Sequence, residues 1–161
     1  MKKMNWLLLM TFIILTEGVG SLSGYLAGNS REVFRVLNQP ALAPPGWVFP
    51  IAWTLLYALM AVAACLAYTH SKSARNDSSP LYFYLVQLFI NFSWSIVFFR
   101  WNSLWGSVVV ILLLDLAVLL TMQNFKKYSP LAQKLMIPYL LWILFATYLN
   151  IHIAINATDP P

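Results

Sequence analysis

Gln87, Asn91 and Ser95 recur every four residues, which sets them in one stripe down a helix face, with Trp94 beside them. Trp142, Ala146 and Asn150 form a second stripe of the same kind, and Trp53 and Tyr57 stand one turn apart in a third segment. Indole rings with a few amides and hydroxyls suit the stacking and orienting of a flat, largely apolar molecule. Interfacial anchoring is the other use of such tryptophans in a membrane chain. Asp115 and Glu17 each fall near the middle of an apolar run, where a carboxyl either finds a partner or serves, protonated, as glue between helices. His70 and His152 have no partner at metal-ligand spacing, and Cys65 is the lone cysteine. There is no H-E-x-x-H, no C-x-x-C and no glycine-rich phosphate loop, so the sequence calls for no metal and no cofactor.

The elements that must carry these residues are set by composition. Sixty per cent of the 161 residues are hydrophobic, 16% aromatic and 9% charged, with a mean hydropathy of +0.70. Soluble domains carry about 25% charged residues, so most of this chain belongs in lipid. Apolar runs at 5–28, 47–69, 81–101, 104–124 and 134–155 each approach or exceed the ~20 residues that span a bilayer. The expectation is an all-α integral membrane protein, a single five-helix bundle over residues 1–161. Lys2 and Lys3 ahead of an apolar run resemble a secretory signal, but the run continues to Ala27 and Tyr25 suits no A-x-A-type cleavage site, so it reads as the first span. Net charge is +5, yet the basic residues lie in loops, where they orient the chain rather than bind nucleic acid. With five spans, Lys2, Lys3, Lys72, Arg75, Lys126, Lys127 and Lys134 share one face, against Arg31, Arg35 and Arg100 on the other. That bias predicts the N-terminus inside and the C-terminus outside.

Residues 29–46 form the longest outer connection. Asn29 or Ser30 is placed to cap a short amphipathic turn through Val33, Phe34 and Leu37, with Arg31, Glu32 and Arg35 facing water. Pro40, Pro44 and Pro45 predict a stiff, extended approach past Trp47 into the second span, built like a lid over an apolar pocket. Pro50 suits the first turn of that helix. Asn102 and Ser103 leave room only for a tight hairpin, Ser129–Pro130 is a capping signal, and Pro138 predicts a kink one turn before Trp142. Glycines 20, 24 and 28 permit close helix approach. At 1.5 Å per residue, Trp53 and Trp94 lie about 9–10 Å below the outer edge, and Trp142, Asn91 and Asp115 about 14–16 Å below it. They share a layer beneath the proline-rich loop.

Taken together, L-N-Q-P-x-x-x-P-P-x-W, then W-T-x-L-Y, Q-L-x-x-N-x-x-W-S-x-x-F-F, L-D-L and P-Y-x-x-W-x-x-F-A-T-Y-L-N resemble the TspO/MBR family over nearly the whole chain. The resemblance implies five helices around a cavity closed by the first loop, usually as a homodimer, in a bacterial cell membrane. It implies a receptor or sensor binding porphyrins, such as protoporphyrin IX and haem-type tetrapyrroles, and isoquinoline or benzodiazepine ligands. Carried over by position, the cavity residues are Trp53, Asn91, Trp94, Ser95, Trp142, Ala146 and Leu149. On this reading the porphyrin face stacks on Trp53 and Trp142, Asn91 meets a polar edge, and Arg31 or Arg35 meets the propionates. Two alternatives stand beside the receptor: a light-dependent porphyrin-degrading enzyme using Trp53 and Trp142, and a tetrapyrrole transporter. The chain departs from the family pattern at Leu42, where an aromatic is usual, and at Pro50, which is displaced. No basic residue follows Tyr148, so the sterol-recognition pattern is incomplete there.

Overall fold

The computed structural model describes residues 5–37 and 39–157, the Arg31 side chain excepted. Every regular element among the described residues is a helix. Helix α1 (Trp6–Ala27) starts where the Asn5 side chain accepts the Leu7 and Leu8 N–H groups at 3.0 and 3.3 Å. It stops at Gly28, whose φ of 77° lies in the region that favours glycine. The short α2 (Ser30–Val36) buries Phe34 and exposes Glu32 and Arg35, the amphipathic turn read from the sequence.

The proline-rich segment that follows differs from the extended strap expected of it. Ala43 N–H donates to the Pro40 carbonyl and Val48 N–H to that of Pro45, both at 2.9 Å, so the connection folds into two turns. Proline removes its own donor but keeps its acceptor, and its fixed φ fits a turn as readily as an extended chain.

Helix α3 (Val48–Arg75) carries Pro50 in its first turn and ends at Asn76, which is left-handed with φ 51°. Its centre is a ladder of small buried residues, Ala61, Ala63, Ala64, Cys65 and Ala67, that lets neighbouring helices approach closely. In the following loop Asp77 accepts from the Tyr128 hydroxyl, from Ser79 N–H at 2.8 Å and from the Ser79 hydroxyl at 2.9 Å. These bonds, Tyr128 first, hold its carboxyl down at about 2.

Helix α4 (Ser79–Ser95) runs on into a π-helical turn, Ile96–Arg100, closed by Trp101 N–H on the Ile96 carbonyl at 3.0 Å. A tight hairpin through left-handed Asn102 leads to α5 (Leu104–Lys126). Ser129 then caps α6 (Pro130–Leu135), its hydroxyl oxygen accepting the Ala132 N–H at 3.2 Å. Met136 interrupts the last span, and α7 (Ile137–Asn156) follows. The kink expected at Pro138 is thus a break two residues earlier. Proline in a helix denies the fourth preceding carbonyl its donor and crowds it, here that of Lys134.

Five helices of the described chain are long and apolar enough to cross a membrane, at 6–27, 48–75, 79–100, 104–126 and 130–156. Two apolar clusters hold them together. One, around Phe12, Met60, Val118, Phe125 and Tyr139, fills the half of the bundle nearer the α3–α4 turn. The other, around Phe34, Trp94, Phe98, Leu149 and Ile153, fills the half carrying α2. Trp53 packs against both.

Candidate functional site

A cavity of about 390 Å³ lies where those clusters meet. Helix α1 contributes Glu17, Gly20, Ser21 and Gly24, spaced so that all face one way. Phe49, Trp53 and Tyr57 repeat at one-turn intervals on α3, and Trp94 and Phe98 do so on α4. The wide π turn brings Phe99 to the cavity beside Phe98. Ala146, Leu149, Asn150 and Ile153 complete the wall from α7. At the α2 end, Ser30, Phe34 and Gly46 of the α1–α3 connection also line it.

The rings hold one another in tilted, edge-on and stacked pairs. Trp53 tilts over Tyr57 with centroids 5.3 Å apart, Phe34 meets Phe49 at 5.0 Å, and Trp94 stacks on Phe98 at 5.5 Å. Beneath Tyr57 runs a chain of buried polar groups. The Tyr57 hydroxyl donates to Asn91 Oδ1 at 2.8 Å, Asn91 Nδ2 to the Tyr139 hydroxyl at 2.8 Å, and that hydroxyl to Gln87 Oε1 at 3.1 Å. Trp94 Nε1 donates to Asn150 Oδ1 at 2.9 Å, and Asn150 Nδ2 to Ser107 Oγ at 2.9 Å. Buried polar groups in lipid are costly unless paired, so these bonds fix the aromatic wall from behind.

Matched against family profiles, residues 12–155 correspond to the TspO/MBR family. The chain belongs to the TspO/MBR family. It is 36% identical over 148 residues to the tryptophan-rich protein TspO of Archaeoglobus fulgidus, covering 91% of this chain and 95% of that one. The tryptophan-rich sensory protein of Cereibacter sphaeroides is 36% identical over 147 residues, covering 91% and 89%. The human translocator protein is 31% identical over 129 residues, covering 80% and 76%. With five helices of membrane-spanning character, this TspO/MBR chain is an integral membrane protein.

Of the site residues read from the sequence, Trp53, Tyr57, Trp94, Ser95, Ala146 and Leu149 come together in the cavity wall. Asn91 sits one layer behind Tyr57, with both ends of its amide bonded within the protein. Trp142 also stands outside the lining. It meets Trp53 edge-on at 6.4 Å and Phe49 at 5.8 Å, and its buried Nε1 has no partner among the described residues. Asp115 lies on the α5–α7 seam, where the Thr147 hydroxyl donates to its Oδ2 at 2.9 Å. In the connection, Pro40 is buried, Pro44 half-buried, and Arg35, Pro45 and Trp47 are exposed. The expected role of the Arg31 side chain lies outside the described residues.

The sequence reading missed Phe34, Phe49, Phe98 and Ile153 as lining residues, and Glu17 as one. Continuing each stripe by one turn finds three of them: Phe49 before Trp53, Phe98 after Trp94, and Ile153 after Leu149. Phe34 carries no such signal, because its place depends on how α2 folds back over the bundle.

Proposed function

We propose that the protein is a membrane receptor that takes up a tetrapyrrole, with protoporphyrin IX as the test ligand, in the cavity between α1, α3, α4 and α7. The observation that carries this reading is a void of about 390 Å³ lined by aromatic rings from α2, α3, α4 and the π-helical turn. That volume falls within the ~300–1,000 Å³ typical of small-molecule sites, which are mostly apolar with a few polar groups that orient the ligand. Trp53 and Trp94 offer faces for a flat ring system. Ser95, rather than the internally bonded Asn91, presents a hydroxyl to its edge. Exposed Arg35 directly follows lining Phe34, which sets a cation one residue from the cavity wall for carboxylate arms. Isoquinoline and benzodiazepine ligands, aromatic and largely apolar, suit the same kind of wall. The segments 39–47 and α2 act as the lid, and the N-terminus lies inside, with the lid on the outer face.

Titrating the purified protein with protoporphyrin IX in darkness, followed by tryptophan fluorescence, tests this. Saturable quenching that weakens in Trp53→Ala supports it, and linear, unsaturable quenching removes it. A second reading, light-dependent porphyrin breakdown, draws on the edge-to-face contact of Trp53 with Trp142. Only the first ring faces the ligand; the second stands behind as a further oxidisable ring. A receptor leaves bound porphyrin bleaching no faster than free porphyrin under light. An enzyme forms a product that the Trp53→Phe variant does not.

A further inference from the structure

Among the described residues, Glu17 is the one lining residue of the cavity that can carry a formal charge at neutral pH. It is the twelfth residue of the 22-residue α1, so at 1.5 Å per residue it stands about 15–17 Å from either end, near mid-bilayer. The helix is held on both sides of it. The Thr16 hydroxyl is hydrogen-bonded to that of Tyr84, Gly20 abuts the Tyr57 ring, and Ser23 donates to the Phe92 carbonyl at 3.0 Å. Glu17 is therefore fixed as the deep end of the stripe that continues through Gly20, Ser21 and Gly24. The Glu17 carboxyl makes no hydrogen bond or ion pair with the described residues. A carboxyl at this depth without a protein partner is a functional candidate by default. The Tyr57 ring fills the space at Gly20, while a Cβ at Gly24 would meet nothing within 4 Å, so the open side of the stripe lies there.

We propose that Glu17 selects ligands bearing a basic amine, which it binds as an ammonium–carboxylate pair at the deep end of the cavity. This rests on the cavity being the ligand site and adds the ligand's polarity to it. Among the described residues the wall offers no cation to compete for the carboxylate, and the low dielectric strengthens the pair. An amine arriving neutral from the bilayer takes its proton from the Glu17 carboxylic acid. One arriving protonated meets the carboxylate. Both routes end in the same pair, with the proton accounted for. The ligand is thus polarised along the cavity, with its cationic head towards Glu17 and any acidic arm towards Arg35.

The test compares two anthracenes, one with a 2-(dimethylamino)ethyl arm and one with the 3-methylbutyl arm of the same shape. Their affinities are measured by tryptophan fluorescence for the full chain in phosphatidylcholine nanodiscs. The wild type is expected to prefer the amine by roughly tenfold or more, the scale of one charge-assisted bond. In Glu17→Gln the preference falls to within about twofold, while Glu17→Asp, which keeps the carboxylate, retains a preference. Comparing preferences between variants cancels the unequal partition of the two probes into lipid. A preference equal in the wild type and Glu17→Gln overturns the Glu17 assignment and leaves the cavity reading intact. If neither anthracene nor protoporphyrin IX binds the wild type, the cavity reading itself fails.

Discussion

Gly20→Ala probes the contact that forms the cavity floor. A Cβ at Gly20 stands 2.0 Å from Tyr57 Cε2, 2.5 Å from Cδ2 and 2.9 Å from Cζ. Carbon atoms rest about 3.5–4.0 Å apart, so ring or helix must give way by roughly 1.5 Å. Tyr57 has little freedom to do so. It is buried, its hydroxyl is bonded to Asn91 and its ring leans on Trp53. Overpacking costs about 1–3 kcal/mol. Pulling the hydroxyl away adds about 1–3 kcal/mol for a buried Asn91 carbonyl left unpaired. Alanine's better helix propensity returns up to about 1 kcal/mol. The expected net loss is about 1–6 kcal/mol, read from SDS-induced unfolding in mixed micelles by circular dichroism. Gly24→Ala is the control, because a Cβ there meets nothing within 4 Å. It should unfold at or above the wild-type midpoint. If Gly20→Ala unfolds with Gly24→Ala and the wild type, α1 and α3 do not meet as described.

Two further outcomes follow from the polar contacts. Trp94→Phe keeps the ring over Phe98 but strands the buried Asn150 Oδ1, so it should cost about 1–3 kcal/mol in the same unfolding assay. Asp77 contributes stability above its ordinary value near 3.8 that is lost as pH falls through about 2, because its folded-state value is depressed. The thermal midpoint should therefore drop across that window, and Asp77→Asn should lack that part of the drop.

The five spans were legible because length and hydropathy alone decide them, and the Ser129–Pro130 cap because its chemistry is local. What lay beyond sequence was pairing between helices. Asn91 reads as a free amide on a polar stripe, but its partners Tyr57 and Tyr139 are 34 and 48 residues away. The depth estimate groups Trp142 and Asp115 in one layer without saying which way they turn. Trp142 stands behind Trp53, and Asp115 turns to Thr147 across the α5–α7 seam. The π turn at Ile96–Arg100 has no local signal like that cap, whereas the break at Met136 follows from Pro138 and lies only two residues before it.

The central claim, that a flat ligand occupies this cavity, is tested most directly by filling it. Ala146 lines the void, and leucine there adds three carbons to the space a ligand would use. Protoporphyrin IX, titrated in darkness against the wild type and Ala146→Leu, should quench the wild type saturably. The variant should bind at least about tenfold more weakly, or about 1.4 kcal/mol, while unfolding near the wild-type midpoint. Unchanged affinity in the folded Ala146→Leu variant would contradict the account and place the ligand elsewhere.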